Sequence, residues 1–101
     1  MSPTQRSLAY LRKLGYTATV TEHWNSFAKI RQDLFGIVDV LAVRSGETLA
    51  VQCTTVANVS SRVNKIAEHE NTPKLREAGW TIWAMGWTKG KRGAPRVVDV
   101  S

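Results

Sequence analysis

The stretch RQDLFGIVDVLAVRSGETLAVQCTT, residues 31–55, is two apolar runs around a turn. Asp39 interrupts the first run and Gln52 the second. A lone ionised carboxylate is costly to bury, so Asp39 requires a partner, a cation or an open cleft. Asp33 precedes an LFG segment suited to a bend that returns it toward the same end of the strand. Gln52 adds a neutral amide oxygen. Oxygen donors of this kind suit Mg2+ or Mn2+, and Mg2+ typically takes one or two carboxylates and keeps several waters. An ion held in this way binds a phosphodiester, activates water and stabilises a leaving oxygen. The plainer reading is structural: Asp33 pins its loop, Asp39 pairs with Arg31 or a backbone group, and Gln52 satisfies Asp39.

The elements that must position these residues are legible in outline. SPTQRSLAYLRKLG reads as a helix, with Ser2 as cap, Pro3 in the first turn and Gly15 as the stop. Leu8, Leu11 and Leu14 share one face, with Arg6, Arg12 and Lys13 in solvent. YTATVTEHW alternates as a strand with Tyr16, Ala18 and Val20 on one side, and the less regular NSFAKIRQD reads as a loop.

GIVDVLAV and ETLAVQCTT then form strands around Ser45 and Gly46. A two-residue hairpin turn sets Arg44 opposite Glu47 and therefore Asp39 opposite Gln52. Opposed Cβ atoms stand roughly 4.5–5.5 Å apart, which makes the two polar intruders neighbours. The other face collects Val38, Val40, Ala42, Leu49, Val51 and Cys53.

A helix after NVSS presents Val59, Val63, Ile66 and Ala67 on one face and Arg62, Lys65 and His69 on another. A second begins at Thr72 as cap and Pro73, and Gly79 ends it. WTIWAMGW is a strand in which Trp83 and Trp87 share parity with Met85, and PRVVDV is a closing strand. The expected fold is α/β, a single domain over residues 1–101 with a mixed central sheet flanked by helices.

This order, with the RQDLFGIVDVLAV and LAVQCTT segments, resembles the PD-(D/E)xK nuclease superfamily, and within it the Holliday-junction-resolvase-like branch and small phage proteins attached to it. The resemblance implies a restriction-endonuclease-like α-β-β-β-α-β core and a Mg2+- or Mn2+-dependent DNA endonuclease, possessing structure selectivity of the junction-resolving kind. Asp39 falls on the metal-binding aspartate of that pattern. Gln52 stands where the pattern has Glu or Asp, and Thr54 where it has Lys. The first helix carries Gln5 and no acid, so Glu22 is the substitute for the acid that resolvases place there. The catalytic set is then Asp39, Gln52, Lys65 and Glu22, with Lys65 replacing the missing lysine if its helix turns that face over the sheet rather than into solvent, and the metal set is Asp39, Asp33 and Gln52.

The charge balance fits a polyanionic partner: Lys and Arg number 14 against 8 Asp and Glu, for a net charge of +6. Lys29, Arg31, Arg62, Lys65 and the Lys89, Lys91 and Arg92 loop are the candidate DNA contacts, and Trp80, Trp83 and Trp87 are either stacking platforms or core. A homodimer through the Trp-rich strand or an adjacent helix is expected. Cys53 is the single cysteine, which excludes an internal disulfide and, with no Cys/His spacing, a zinc site. A reducing, cytoplasmic location and no membrane contact are the corresponding expectations. Two other readings fit the same residues: a non-catalytic DNA-binding module with an eroded site, and a protein-interaction or dimerisation module.

Overall fold

The computed structural model describes residues 1–101. Its elements, in order, are α1 (Pro3–Lys13), β1 (Thr17–Val20), β2 (His23–Asn25), β3 (Ile30–Gln32), β4 (Val40–Arg44), β5 (Glu47–Thr55), a 3-10 turn (Val56–Asn58), α2 (Val59–Glu68), α3 (Thr72–Glu77), β6 (Thr81–Trp87) and β7 (Arg96–Asp99). Five strands form one mixed sheet in the order β1-β4-β5-β6-β7. β5 and β6 pair in parallel, and every other pairing in it is antiparallel. A parallel pair requires a crossover, and α2 and α3 supply it. The remaining two strands, β2 and β3, make a separate ribbon.

Alternation in the strands divides the core between two faces. On one face Leu8 and Leu11 of α1 pack with Tyr16, Ala18, Val40, Ala42, Leu49, Val51, Cys53, Met85 and Trp87. On the other, Ile66 and Leu75 of α2 and α3 pack with Ile37, Val38, Ala50, Ile82 and Ala84. The mixed α/β architecture with helices on both faces is the one expected. The α1 cap is also as expected: the Ser2 hydroxyl oxygen accepts from Gln5 N–H at 3.2 Å, and Gly15 follows the helix with φ of +97°.

Glycine at 86 has a packing reason. A Cβ there would stand 2.2 Å from Val59 Cγ2 and 3.1 Å from the Val56 backbone. The bare strand therefore lets the start of α2 settle directly on β6. Trp87 is buried under α1, where its indole N–H donates to Ser7 Oγ at 2.9 Å and its ring carries Tyr10 edge-on and Arg6 at 4.5 Å. Trp83 packs against the same cluster, so these two tryptophans belong to the core. β6 is flanked on both edges by strands and offers no free edge for a partner copy.

Four local readings need correction. YTATVTEHW is not one strand: the chain leaves the sheet after Val20 and enters the ribbon at His23. NSFAKIRQD is not a loop throughout, since it contains the ribbon's turn and all of β3. GIVDVLAV is not continuous either. Leu34–Val38 closes into a tight turn in which Phe35 and Gly36 both take positive φ, +53° and +80°, and β4 begins only at Val40. The break at Asp39 sends Val38 to the α2–α3 face rather than alongside Val40. Finally, Asn71 occupies the α3 cap position, and Thr72 is the first helical residue. Thr72 is buried and its hydroxyl donates to Ile66 O, tying the start of α3 to α2.

Candidate metal centre and its surroundings

The register of the β4–β5 hairpin places Arg44 opposite Glu47 and Val40 opposite Val51; the paired register ends there, and Asp39, the residue before β4, meets Gln52 through its side chain. Asp39 keeps backbone bonds to both neighbouring strands: its carbonyl accepts from Thr21 N–H at 2.8 Å and its own N–H donates to Val51 O at 2.9 Å. The carbonyl of Val38 is already taken by Leu34 N–H at 3.0 Å and by the Thr21 hydroxyl at 2.9 Å. Cys53 N–H instead donates to the Asp39 carboxylate at 2.8 Å. The side chain thus replaces a backbone carbonyl in the ladder, which holds it in place at only 3% exposure.

Gln52 is 1% exposed. Its amide nitrogen donates to Asp39 Oδ2 and, at 3.4 Å, to Asp33 Oδ2. Its own oxygen is buried with no hydrogen-bond partner. A buried, unpartnered acceptor costs about 1–3 kcal/mol, and native interiors hold few of them.

The Leu34–Val38 turn brings Asp33 back over the strand, and the end of β1 brings Glu22. Carboxylate oxygens of Glu22, Asp33 and Asp39 all lie within 4.8 Å of one another. Two cations face these three acids: Lys65 Nζ stands 3.4 Å from Asp33 Oδ2, and Arg31 Nη1 stands 3.8 Å from Glu22 Oε1. Asp39 has no cation of its own. Burial first, and then the hydrogen bond and charge of Asp33, push its carboxyl up to about 7, against the Cys53 N–H and the Gln52 amide, which act to lower it. Once ionised, the Asp39 carboxylate has no counter-charge of its own, a place that a cation would fill.

The donor set fits a hard divalent cation. Oxygens on opposite sides of such an ion stand roughly 4–5 Å apart, which the three carboxylates already satisfy. Gln52 fits as well. Half a turn of its amide would direct the orphaned oxygen at the carboxylates, an orientation that only a cation among them makes favourable. Asp39, Asp33, Glu22 and Gln52 would hold the ion.

A cleft of about 440 Å3 opens beside the cluster, lined by His23, Arg31, Gln32, Asp33, Gly36 and Lys65. Of the candidate DNA contacts, Arg31 and Lys65 therefore line the cleft. Lys29 is exposed in the ribbon's turn, and Arg62 is half-buried one turn before Lys65 on α2. Lys89, Lys91 and Arg92 lie in the exposed loop after β6. Arg6 braces that loop through bonds to Thr88 O and Lys91 O at 2.9 and 2.8 Å. β5 and β6 are parallel, so the loop lies at the end of the sheet toward which the acidic cluster is displaced. Trp80, by contrast, is half-buried against Phe35.

The structural alternative for Asp39 is right about a backbone partner, namely Cys53 N–H, but not about Arg31, which pairs with Glu22. Cys53 carries no chemistry of its own, because burial pushes its thiol up to about 12. Sequence reasoning did not anticipate Gly36 in the cleft wall. Its signal is the positive φ, together with His69 Nε2 only 2.5 Å from where a Cβ would stand. No helix is long and apolar enough to cross a membrane. No protein-family model matches the chain, and comparison with curated proteins likewise yields no match.

Proposed function

We propose that the protein is a divalent-metal-dependent DNA endonuclease, with the acidic cluster as its active site. The observation that carries this reading is the convergence of Glu22, Asp33 and Asp39 with Lys65 at the edge of an open polar cleft. The net charge of +6 supports a polyanionic substrate. The order of elements supports it too. With the β2–β3 ribbon set aside, the chain runs helix, three strands, a helical crossover split into α2 and α3, and a parallel strand with a closing partner. That is the succession implied by the nuclease resemblance.

When bound, Mg2+ or Mn2+ supplies charge to a phosphate oxygen and acidifies water. The protein's own residues account for the rest. Asp39 is fixed by the ladder and cannot swing away. Lys65 presents an ammonium to the site from α2, where it stabilises negative charge developing on the phosphate. It takes the place of the cation that buried, neutral Thr54 cannot provide. Glu22, half-buried at the rim, orients water, and Arg31 and His23 line the approach of the backbone.

Gln52 and Thr54 carry a second reading, a DNA-binding module that does not cleave, because each lacks the charge expected at its position. One experiment separates the two. Branched and linear DNA are incubated with the protein in Mg2+, Mn2+ or EDTA, with D39N alongside. Metal-dependent nicking lost in D39N is the expected result. Retention of DNA that weakens steeply with salt, without nicking in any metal, establishes the binding module instead.

A further inference from the structure

The β2–β3 ribbon does not serve the fold. The five-stranded sheet is complete without it, and neither core cluster contains Trp24, Phe27 or Ile30. These three side chains are nevertheless large, apolar and exposed: 58%, 98% and 50% respectively. The ribbon is not slack either. Asn25 Oδ1 accepts from the N–H groups of Phe27 and Ala28 at 3.0 and 3.1 Å, and Asn25 Nδ2 donates across the ribbon to Gln32 at 3.2 Å. Lys29 closes the turn at φ +53°, a left-handed conformation uncommon for a residue other than glycine. A built turn therefore holds Phe27 out in water, with Trp24 and Ile30 behind it.

The ribbon's charge identifies its partner. Its two acids, Glu22 and Asp33, stand at the base and turn into the metal cluster. What remains outward at the turn is Lys29 with the apolar side chains, while Arg31 and His23 line the cleft between the ribbon and the cluster. Aromatic faces interleaved with cations match stacked bases on a phosphate backbone. A protein partner fits less well, since a stable interface needs roughly 800 Å2 from each side, and a narrow two-stranded ribbon presents a ridge.

We propose that the β2–β3 ribbon is a base-stacking wedge that selects DNA with an unpaired or unstacked base a few nucleotides from the phosphate held at the acidic cluster. This rests on the nuclease reading for the position of that phosphate. Three residue pairs at roughly 3.3 Å each set the tip on the order of 10 Å from the base of the ribbon. With bases spaced about 3.4 Å apart along a strand, the stacked base lies about two to four nucleotides from the cluster. An intact duplex offers no open base face at that distance. A branch, flap or single strand does, so the wedge confers selectivity without reading sequence.

The test uses three oligonucleotide probes in EDTA, an intact duplex, a flap and a four-way junction, with 2-aminopurine one to five nucleotides from the discontinuity. The proteins are wild type, F27A, W24A and F27W. Wild type is expected to change 2-aminopurine fluorescence at one or two adjacent positions of the flap and junction. F27A and W24A are expected to lose that signal and bind branched probes roughly tenfold to a hundredfold more weakly. Their duplex affinity and melting temperature should stay near wild type, and F27W should restore stacking.

Equal losses on duplex and branched probes, or none on either, overturn the wedge. So does self-association of wild type that F27A abolishes, with no DNA retention, since the ribbon is then a dimer contact. Cleavage in Mg2+ separates the two proposals. Stacking without cleavage removes the nuclease reading and keeps the wedge, whereas cleavage indifferent to F27A does the reverse.

Discussion

Gln52 donates from its amide nitrogen to Asp39 and Asp33, while its own oxygen remains buried without a partner. The pair satisfies the carboxylate at the expense of the amide. Two residues evolved only to pair with each other would do better as a hydrophobic couple of the same size. The mismatch becomes intelligible when a cation is the third member. The amide can then turn its oxygen inward, and the carboxylate no longer needs a proton.

Replacing Asp39 with Asn tests that account at its centre. The variant loses divalent-metal binding and any cleavage. It folds at least as stably as wild type, because a buried charge is removed while Cys53 N–H keeps an acceptor. At pH 8 without metal it should be more stable by roughly 1–3 kcal/mol, and near pH 5 little different. Titration calorimetry with Mg2+ and Mn2+, together with urea unfolding at both pH values, measures each part. Equal metal binding by the two proteins would make the carboxylate purely structural.

The pH dependence of stability has a definite sign. Unfolded, Asp39 ionises near 3.8; in the fold it holds its proton to about 7. Between those values the native state binds the extra proton, so metal-free stability declines as pH rises through this window. The decline is on the order of a few kcal/mol at most. Glu47, lowered by its bonds from Tyr16 and Arg44, and Asp99, lowered by Ser101, act in the opposite sense and lose their contribution in acid. Metal-free protein should therefore be more stable in mildly acidic solution than at pH 8. Millimolar Mg2+ should raise the melting temperature at pH 8, by roughly 4–8 °C per kcal/mol of binding, and barely at pH 5, where the proton competes. Thermal melts across pH, with and without Mg2+, check both trends.

The Asp39–Gln52 pairing was legible because one short signal governs it. A two-residue Ser45–Gly46 turn sets the register from Arg44–Glu47 to Val40–Val51, which brings the next polar residues to the same end of the hairpin even though alternation breaks at Asp39. The parity of Trp83, Met85 and Trp87 was legible from period-two alternation. The ribbon was not. Its strands are three residues long, too short for alternation to stand out, and their pairing is a tertiary fact. Trp24 and Phe27 therefore do not stand out beside the Trp-rich strand, although they are the most exposed aromatics. Whether Lys65 reaches the site depends on how α2 docks. That in turn depends on the bare surface of Gly86 beneath Val59, a contact with no local signature.

Gln52→Glu should pull stability and metal affinity apart. A fourth carboxylate in the cluster raises metal affinity by about tenfold or more, since affinity at such sites follows ligand charge. Without metal the same change removes the amide hydrogens that Asp39 and Asp33 accept and adds a like charge. The metal-free protein should then melt well below wild type, and saturating Mg2+ should recover most of the loss. Melting curves over a Mg2+ titration give both quantities from one sample set. A uniform loss of stability that Mg2+ does not reverse would mean that the cluster does not hold the ion through position 52.

Lys65 separates chemistry from structure most cleanly. Its side chain is well exposed, and it meets Asp33 at 3.4 Å on the rim of the cleft. Exposed ion pairs of this kind contribute roughly 0–1 kcal/mol, so Lys65→Met should leave the unfolding free energy within about 0.5 kcal/mol of wild type. Metal affinity should hold or rise slightly, because a competing cation is gone. Cleavage, by contrast, should fall about a hundredfold to a thousandfold, the usual effect of removing one group that stabilises transition-state charge. DNA affinity should fall far less. Single-turnover cleavage with saturating enzyme isolates the chemical step from binding. If that rate stays at the wild-type value while D39N is inactive, Lys65 is only the ion-pair partner of Asp33, and the missing cation must come from elsewhere in the cleft, with Arg31 the next residue to replace.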